Sequence, residues 1–400
     1  MNKKLMAVAV AGALAVPAVA FAQASSVTIS GRANVGLDSY EATGATAGSA
    51  SDFKRRTRIF DAGSRLIFQG TENLGGGLTA YFYNESGVNF DTGGSTGQAN
   101  TVNTNTGFLG SRNAWLGLRG NWGAVQFGKP NVWWGNGLIF ANAALSHFTT
   151  EIPFLTGGLG RGMGPGVARQ PNTMTYITPV MGGITATVHY STNANSSLVA
   201  QSSQESAAAG ANANAHMWAF MANGLWGPWN AQFDWVKGWG NSPAVGSQGT
   251  SDSWKTSGKY AYSPGGSVKL YYLRAHQANG GSGAPASAAL LGLGTSLTQN
   301  AWAIGWDHTF GNIVPSVQWG KVNKISGCAV SRNCDSTGAT SWQVGVRYLM
   351  SKRTWTYAHI VSTSNEANYN MDYNGGNITS GPTNNGGDPR IFGVGLVHHF

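Results

Sequence analysis

Few residues of this chain stand at spacings that do covalent chemistry. Gly93-Gly94-Ser95-Thr96-Gly97 spells the Gly-x-Ser-x-Gly of a nucleophile elbow. That elbow needs a strand-to-helix turn with histidine and acid partners. Here it lies in a Gly-, Asn- and Thr-rich stretch and reads as a chance match. No Gly-Lys is followed by Ser or Thr, so there is no Walker loop. His398 and His399 are adjacent, so in a strand they point to opposite faces and do not jointly grip one ion. Cys328 and Cys334 have too few ligands nearby for a metal centre. In an exported chain they are expected to close a small loop disulfide. The one basic run, Phe53-Lys54-Arg55-Arg56-Thr57-Arg58, is short and not interleaved with aromatics, so nucleic acid is not an expected partner. No catalytic constellation assembles, and neither a metal nor a cofactor is called for.

The elements point elsewhere. Lys3 and Lys4 precede an apolar run from Leu5 to Phe21, and Ala20-Phe21-Ala22 fits a signal-peptidase site. Residues 1–22 are therefore expected to be a secretory signal, and 23–400 the mature domain. No later apolar stretch approaches the ~18 residues of a transmembrane helix. Charged residues are 10% of the chain, against about 25% in ordinary soluble domains. Glycine supplies 58 of the 400 residues, and Trp, Tyr and Phe number 15, 13 and 16. A barrel with one face in lipid sheds charge from that face and places aromatics at both interfaces. The formal charge of +9 is spread along the chain, and spread over a pore wall it favours anions.

Period-2 alternation carries the fold. Val27, Ile29, Ala33, Val35 and Leu37 share one face, and Thr28, Ser30, Arg32 and Asn34 the other. Ile184-Ala186-Val188-Tyr190, Trp302-Ile304-Trp306, Trp342-Val344-Val346-Tyr348 and Phe392-Val394-Leu396-His398-Phe400 repeat the rhythm. About sixteen such segments occur, with bounds good to ~2–4 residues. Tight turns, such as those at residues 73–77, 121–123, 263–266 and 311–312, alternate with long polar loops. Short turns on one side and long loops on the other are the layout of an outer-membrane barrel, with both termini on the short-turn side. The connection Pro130–Gln170 is long and contains Val132-Trp133-Trp134, Leu138-Ile139-Phe140 and Ile152-Pro153-Phe154-Leu155. Its apolar residues suggest that it packs against the inner wall and narrows the lumen.

At this point several stretches look familiar. Gly63-Ser64-Arg65-Leu66-Ile67-Phe68-Gln69-Gly70-Thr71-Glu72-Asn73-Leu74-Gly75-Gly76-Gly77-Leu78 resembles the second strand and first turn of trimeric general porins. Val125-Gln126-Phe127-Gly128-Lys129 and Pro171-Asn172-Thr173-Met174-Thr175-Tyr176 resemble the strands entering and leaving the constriction loop. Val394-Gly395-Leu396-Val397-His398-His399-Phe400 is similar to the last strand of beta-proteobacterial porins, and Phe400 resembles the aromatic signal read by the outer-membrane assembly machinery. The resemblance covers the whole mature chain. It implies an all-β fold: a 16-stranded antiparallel transmembrane β-barrel in the outer membrane of a Gram-negative bacterium. It also implies a homotrimer and a long third loop (130–170) folded into the lumen.

The resemblance also implies a ladder of basic residues facing that loop, matched here by Arg32, Arg65, Arg112 and Arg169. Alternation independently turns Arg32, Arg65 and Arg169 inward, since arginine on the lipid face near the midplane costs roughly 2–4 kcal/mol. Arg112 shares parity with Ala114, Leu116 and Leu118, so alternation alone points it outward; a bulge or an end-of-strand position reconciles the two. Enteric members carry several acids in the third loop, whereas this one has only Glu151. A weak transverse field and a positive constriction follow. The expected function is passive diffusion of small hydrophilic solutes with anions preferred, in contact with outer-membrane lipids. A substrate-selective channel for phosphate or organic anions, a surface-binding structural barrel and an outer-membrane enzyme are the alternatives.

Overall fold

The computed structural model describes residues 25–93, 109–133, 169–192, 216–241, 248–278, 296–328, 334–371 and 384–400. The expected signal (1–22), nearly all of the Gly93–Gly97 match, and the body of the long connection with Glu151 lie outside these residues.

The described strands are β1 (Ser26–Thr43), β2 (Phe53–Asp61), β3 (Arg65–Gly75), β4 (Leu78–Gly87), β5 (Ala114–Gly120), β6 (Gly123–Lys129), β7 (Thr173–Ile177), β8 (Ile184–Ser191) and β9 (His216–Trp226). They continue as β10 (Trp229–Asn241), β11 (Gln248–Ser263), β12 (Gly266–Ala278), β13 (Ser296–His308), β14 (Ile313–Val322), β15 (Ala339–Leu349), β16 (Thr354–Asn365) and β17 (Asp388–His399). Each pairs antiparallel with its neighbours, and β1 pairs β17 to close the sheet. The result is a closed barrel with 16 strand positions, because β2 and β3 share one. β2 pairs the upper half of β1, and β3 pairs its lower half from Ser26 to Arg32.

The alternation read from sequence is the inside–outside alternation of this barrel. Along β14 the odd-numbered positions are the more exposed, among them Ile313, Val317 and Trp319, while Val314, Ser316, Gln318 and Val322 are buried. The outer surface carries Val27, Ile29, Leu37, Phe127, Trp302, Ile304, Trp342, Val344, Phe392 and Leu396. So much contiguous apolar surface is sustainable only in a lipid phase. Near the short turns stand Trp226, Trp229, Tyr260, Tyr262 and Phe310, the amphipathic girdle of an interface. Trp306 Nε1 donates to Tyr262 Oη at 2.9 Å, and Tyr262 Oη and His308 Nδ1 lie 2.7 Å apart.

The abundance of both glycine and aromatics has one physical cause at the seam. Gly31 and Phe400 exchange backbone hydrogen bonds at 3.0 and 3.1 Å. A Cβ on Gly31 would lie 2.4 Å from the Phe400 ring and 2.6 Å from the Arg65 carbonyl oxygen. The terminal ring therefore lies in the notch that glycine leaves, and covers backbone that would otherwise face lipid. Tyr357 covers Gly395, its direct cross-strand partner, in the same way on the inner face.

His398 and His399 diverge as expected: Thr354 Oγ1 lies 2.9 Å from His398 Nδ1, while His399 stacks on Trp355 of the inner face. Cys328 and Cys334 are joined in a disulfide with Cα atoms 5.9 Å apart, packed against Ala275, Leu297 and Ile325.

Candidate functional site

The break between β2 and β3 builds the site. Ala62-Gly63-Ser64 leaves the ladder, with Gly63 at φ 78°. The Asp61 carboxylate holds the turn by accepting from the backbone amides of Gly63 (2.8 Å) and Ser64 (2.9 Å). Two carbonyls freed from the sheet, Ala62 O and Gly63 O, accept from Arg32 Nη2 at 2.6 and 3.2 Å. Arg32 stands directly opposite Arg65 in the β1–β3 register, on the face away from Ile29 and Phe68. Two like charges side by side repel, so their retention requires a counter-charge or water.

The counter-charge is Glu85 of β4, a residue that the sequence reading did not single out. It is buried at 2% exposure. Arg65 Nη1 lies 3.5 Å from its Oε1, and Arg112 Nε donates to the same oxygen. Tyr83 Oη (3.0 Å) and Asn113 Nδ2 (3.2 Å) donate to Oε2. Both carboxylate oxygens are thus occupied, which a buried charge needs. The signal for Glu85 was in the alternation: Tyr81, Tyr83 and Glu85 share the face opposite lipid-facing Phe82.

Arg112 faces inward. Regular pairing of β5 starts at Ala114, so strand parity does not extend to Arg112. Its amide donates to Glu85 O at 3.0 Å, and Glu85 N donates to Asn113 O at 2.7 Å, which swings the guanidinium onto Glu85. Lys129 is a second unforeseen member. It shares parity with lipid-facing Phe127, but Gly128 at φ 146° ends the alternation, and Lys129 Nζ donates to Ser111 O at 3.1 Å beside Arg112.

Arg169 is bridged to Asn131, and Gln170 N donates to Pro130 O at 3.1 Å, so the two ends of the long connection meet. Thr173 and Thr175 share its parity and are buried, while Met174 and Tyr176 face out. Burial, and then the Arg112 charge, push the Arg169 guanidinium down to about 9. Burial also lowers Arg112, against the pull of Glu85. Both remain cations at neutral pH, because a guanidinium starts from so high a value.

At the head of the long connection, Val132 and Trp133 are buried among inward residues of β9, β10 and β12–β15, including Met217, Val236 and Leu273. Lys255 of β11 donates to the Trp133 carbonyl, and its ammonium lies 4.6 Å from the Trp133 ring centre. Arg32, Arg65, Arg112, Lys129 and Arg169 thus gather on one inner wall around Glu85, with Asp61 beside Arg32, while Glu151 lies outside the described residues.

A closed antiparallel barrel, apolar outside and charged within, defines an outer-membrane channel protein. The chain belongs to the Gram-negative porin family, whose family model matches residues 7–369. It is similar to the major outer membrane protein P.IB of Neisseria gonorrhoeae, 29% identical over 197 residues that cover 49% of this chain and 50% of the relative. It is also similar to outer membrane porin protein 32 of Delftia acidovorans, 32% identical over 196 residues, 48% of this chain and 49% of that one. The chain spans about half the length of the curated relatives it matches. In three dimensions it matches a solved anion-selective porin from Comamonas acidovorans with a TM-score of 0.70 and 19% identity, over 94% of this chain and all of the other. It also matches the trimer form of OmpT from Vibrio cholerae, with a TM-score of 0.59 and 12% identity, over 94% of this chain and all of the other. Its place is the outer membrane.

Proposed function

We propose that this chain passes small hydrophilic solutes by passive diffusion and prefers anions. The observation that carries this reading is the inner-wall cluster of Arg32, Arg65, Arg112, Lys129 and Arg169, balanced at close range by Glu85. Asp61, whose carboxylate accepts from backbone amides, adds a second negative charge beside Arg32, so the five cations stand against two acids. The excess of cations raises anion concentration in the lumen and lowers that of cations. The relative from Comamonas, described as anion-selective, supports the same sign.

We read the connection 130–170 as the constriction; its body, with Glu151, lies outside the described residues. Its described ends support that reading: Lys255 holds Trp133 on the wall facing the cluster, and Arg169 pairs with Asn131. Three copies assemble as a homotrimer, as the trimeric form of OmpT suggests. Phe400, seated at the barrel seam, is the residue offered to the assembly machinery. No solute-processing chemistry is needed.

Liposome flux tests this reading. With size-matched organic solutes, the anion is expected to enter faster than the neutral one, and the neutral one faster than the cation. Equal rates would remove the electrostatic part, and no flux above protein-free vesicles would remove the pore.

A further inference from the structure

A second basic site stands half a barrel away. β11 is the tenth position around the barrel and the β2/β3 position is the second, half of the sixteen apart. On β11 and β12, Lys259 and Lys269 are direct cross-strand partners. Both face inward: Lys255 and Lys269 are buried along with Ser267, Tyr271 and Leu273, while Tyr260 and Leu270 face out. The pair lies near the Ser263–Gly266 end of the hairpin, towards the short turns, whereas Arg65 lies midway along its strand position.

Directly opposed like charges destabilise a strand pair. One of these two is compensated: Lys269 Nζ lies 2.6 Å from Asp307 Oδ2, and Ser267 Oγ lies 3.1 Å from both carboxylate oxygens. Lys259 makes no ion pair and no hydrogen bond among the described residues, and it is only half-buried. Its partner on the other side is Asn230, whose Oδ1 accepts from Asn223 Nδ2 at 3.2 Å, so the Asn230 amide nitrogen remains a donor. Two ammonium groups, one carboxylate already held, and an amide donor therefore share one patch of inner wall. A lysine pair on the lipid face would be too costly to keep. On a water-filled face it lacks one negative charge.

We propose that Lys259 and Lys269 form a second anion station in the lumen, taking a small oxyanion of the phosphate class between the two ammonium groups. The proposal rests on the diffusion-pore reading and adds a station below the arginine cluster, on the facing wall. An oxyanion at this station replaces the missing counter-charge and gives Lys259 and Asn230 an acceptor. An ion leaving the arginines for the short-turn mouth then meets a second cationic stop.

The test is chloride conductance of single reconstituted channels at 0.1 M KCl, titrated with inorganic phosphate. The wild-type current is expected to fall saturably. Lys259→Gln is expected to raise the half-blocking concentration about fivefold, the effect of one unit charge about 4 Å away in water. Lys259→Arg, which keeps the charge, is expected to restore block. Lys269 is left intact so that Asp307 keeps its partner. Unchanged block in Lys259→Gln overturns the station, as does an Arg variant that behaves like Gln. A chloride-preferring channel that phosphate does not block overturns the station and leaves the diffusion reading standing. Lys259-dependent phosphate block in a channel without chloride preference does the reverse.

Discussion

Arg65→Asp is the most informative single change, because Arg65 is the member of the cluster whose side chain keeps 26% exposure. The substitution swings the local charge by two units. A unit charge about 8 Å from the path of an ion in water is worth roughly 0.5 kcal/mol. Screening over one Debye length, about 8 Å at 0.15 M, reduces that to roughly 0.2 kcal/mol. Two units cost an anion roughly 0.4 kcal/mol and favour a cation by as much. The difference of roughly 0.8 kcal/mol is about a fourfold fall in the chloride-to-potassium permeability ratio. At 1 M salt the Debye length is about 3 Å and the fall shrinks to less than about 1.5-fold. Reversal potentials at the two salt concentrations read both numbers. Arg55→Asp is the control, since Arg55 lies on the outer rim against Glu41 and is expected to leave the ratio alone. An unchanged ratio at low salt would remove Arg65 from the ion path. A fourfold fall that persists at 1 M would refute the field argument.

Three further changes follow from the same geometry. Glu85→Gln leaves Arg112 buried without its acid and is expected to lower stability by about 3–5 kcal/mol while raising anion preference; denaturant unfolding in detergent would contradict this by showing wild-type stability. Gly31→Ala drives a methyl against the Arg65 carbonyl and the Phe400 ring, and is expected to cost about 1–3 kcal/mol and slow closure of the β1–β17 seam; refolding into vesicles at the wild-type rate would count against it. Anion preference is expected to stay constant from pH 5 to pH 8, because the guanidinium groups of the cluster, Arg169 at about 9 among them, remain charged across that window; a titration of selectivity near pH 6–7 would assign the charge to a histidine instead.

The fold was legible because lipid enforces it: outward residues within the hydrocarbon band had to be apolar, as Ile313, Val317 and Trp319 of β14 and Phe392, Val394 and Leu396 of β17 are. Arg32 and Arg65 were legible for the same reason, as charges on the face opposite Ile29 and Phe68. Alternation stops being informative where strands end. Arg112 precedes β5, and Lys129 follows a left-handed Gly128, so parity pointed both the wrong way. Glu85 was visible in parity but was missed because the acid was sought in the long connection. The break at Ala62–Ser64 left no hydrophobic signature, since its work is to free carbonyls for Arg32. The Lys259–Lys269 pair depends on register, which one strand read alone does not contain.

That cations on the inner wall set the sign of the ion preference is tested most directly by the zero-current potential of the reconstituted wild-type protein under a tenfold KCl gradient near neutral pH. A potential on the chloride side of zero is expected, drawing towards zero as both solutions are made more concentrated at the same ratio. A potential on the potassium side would contradict the account.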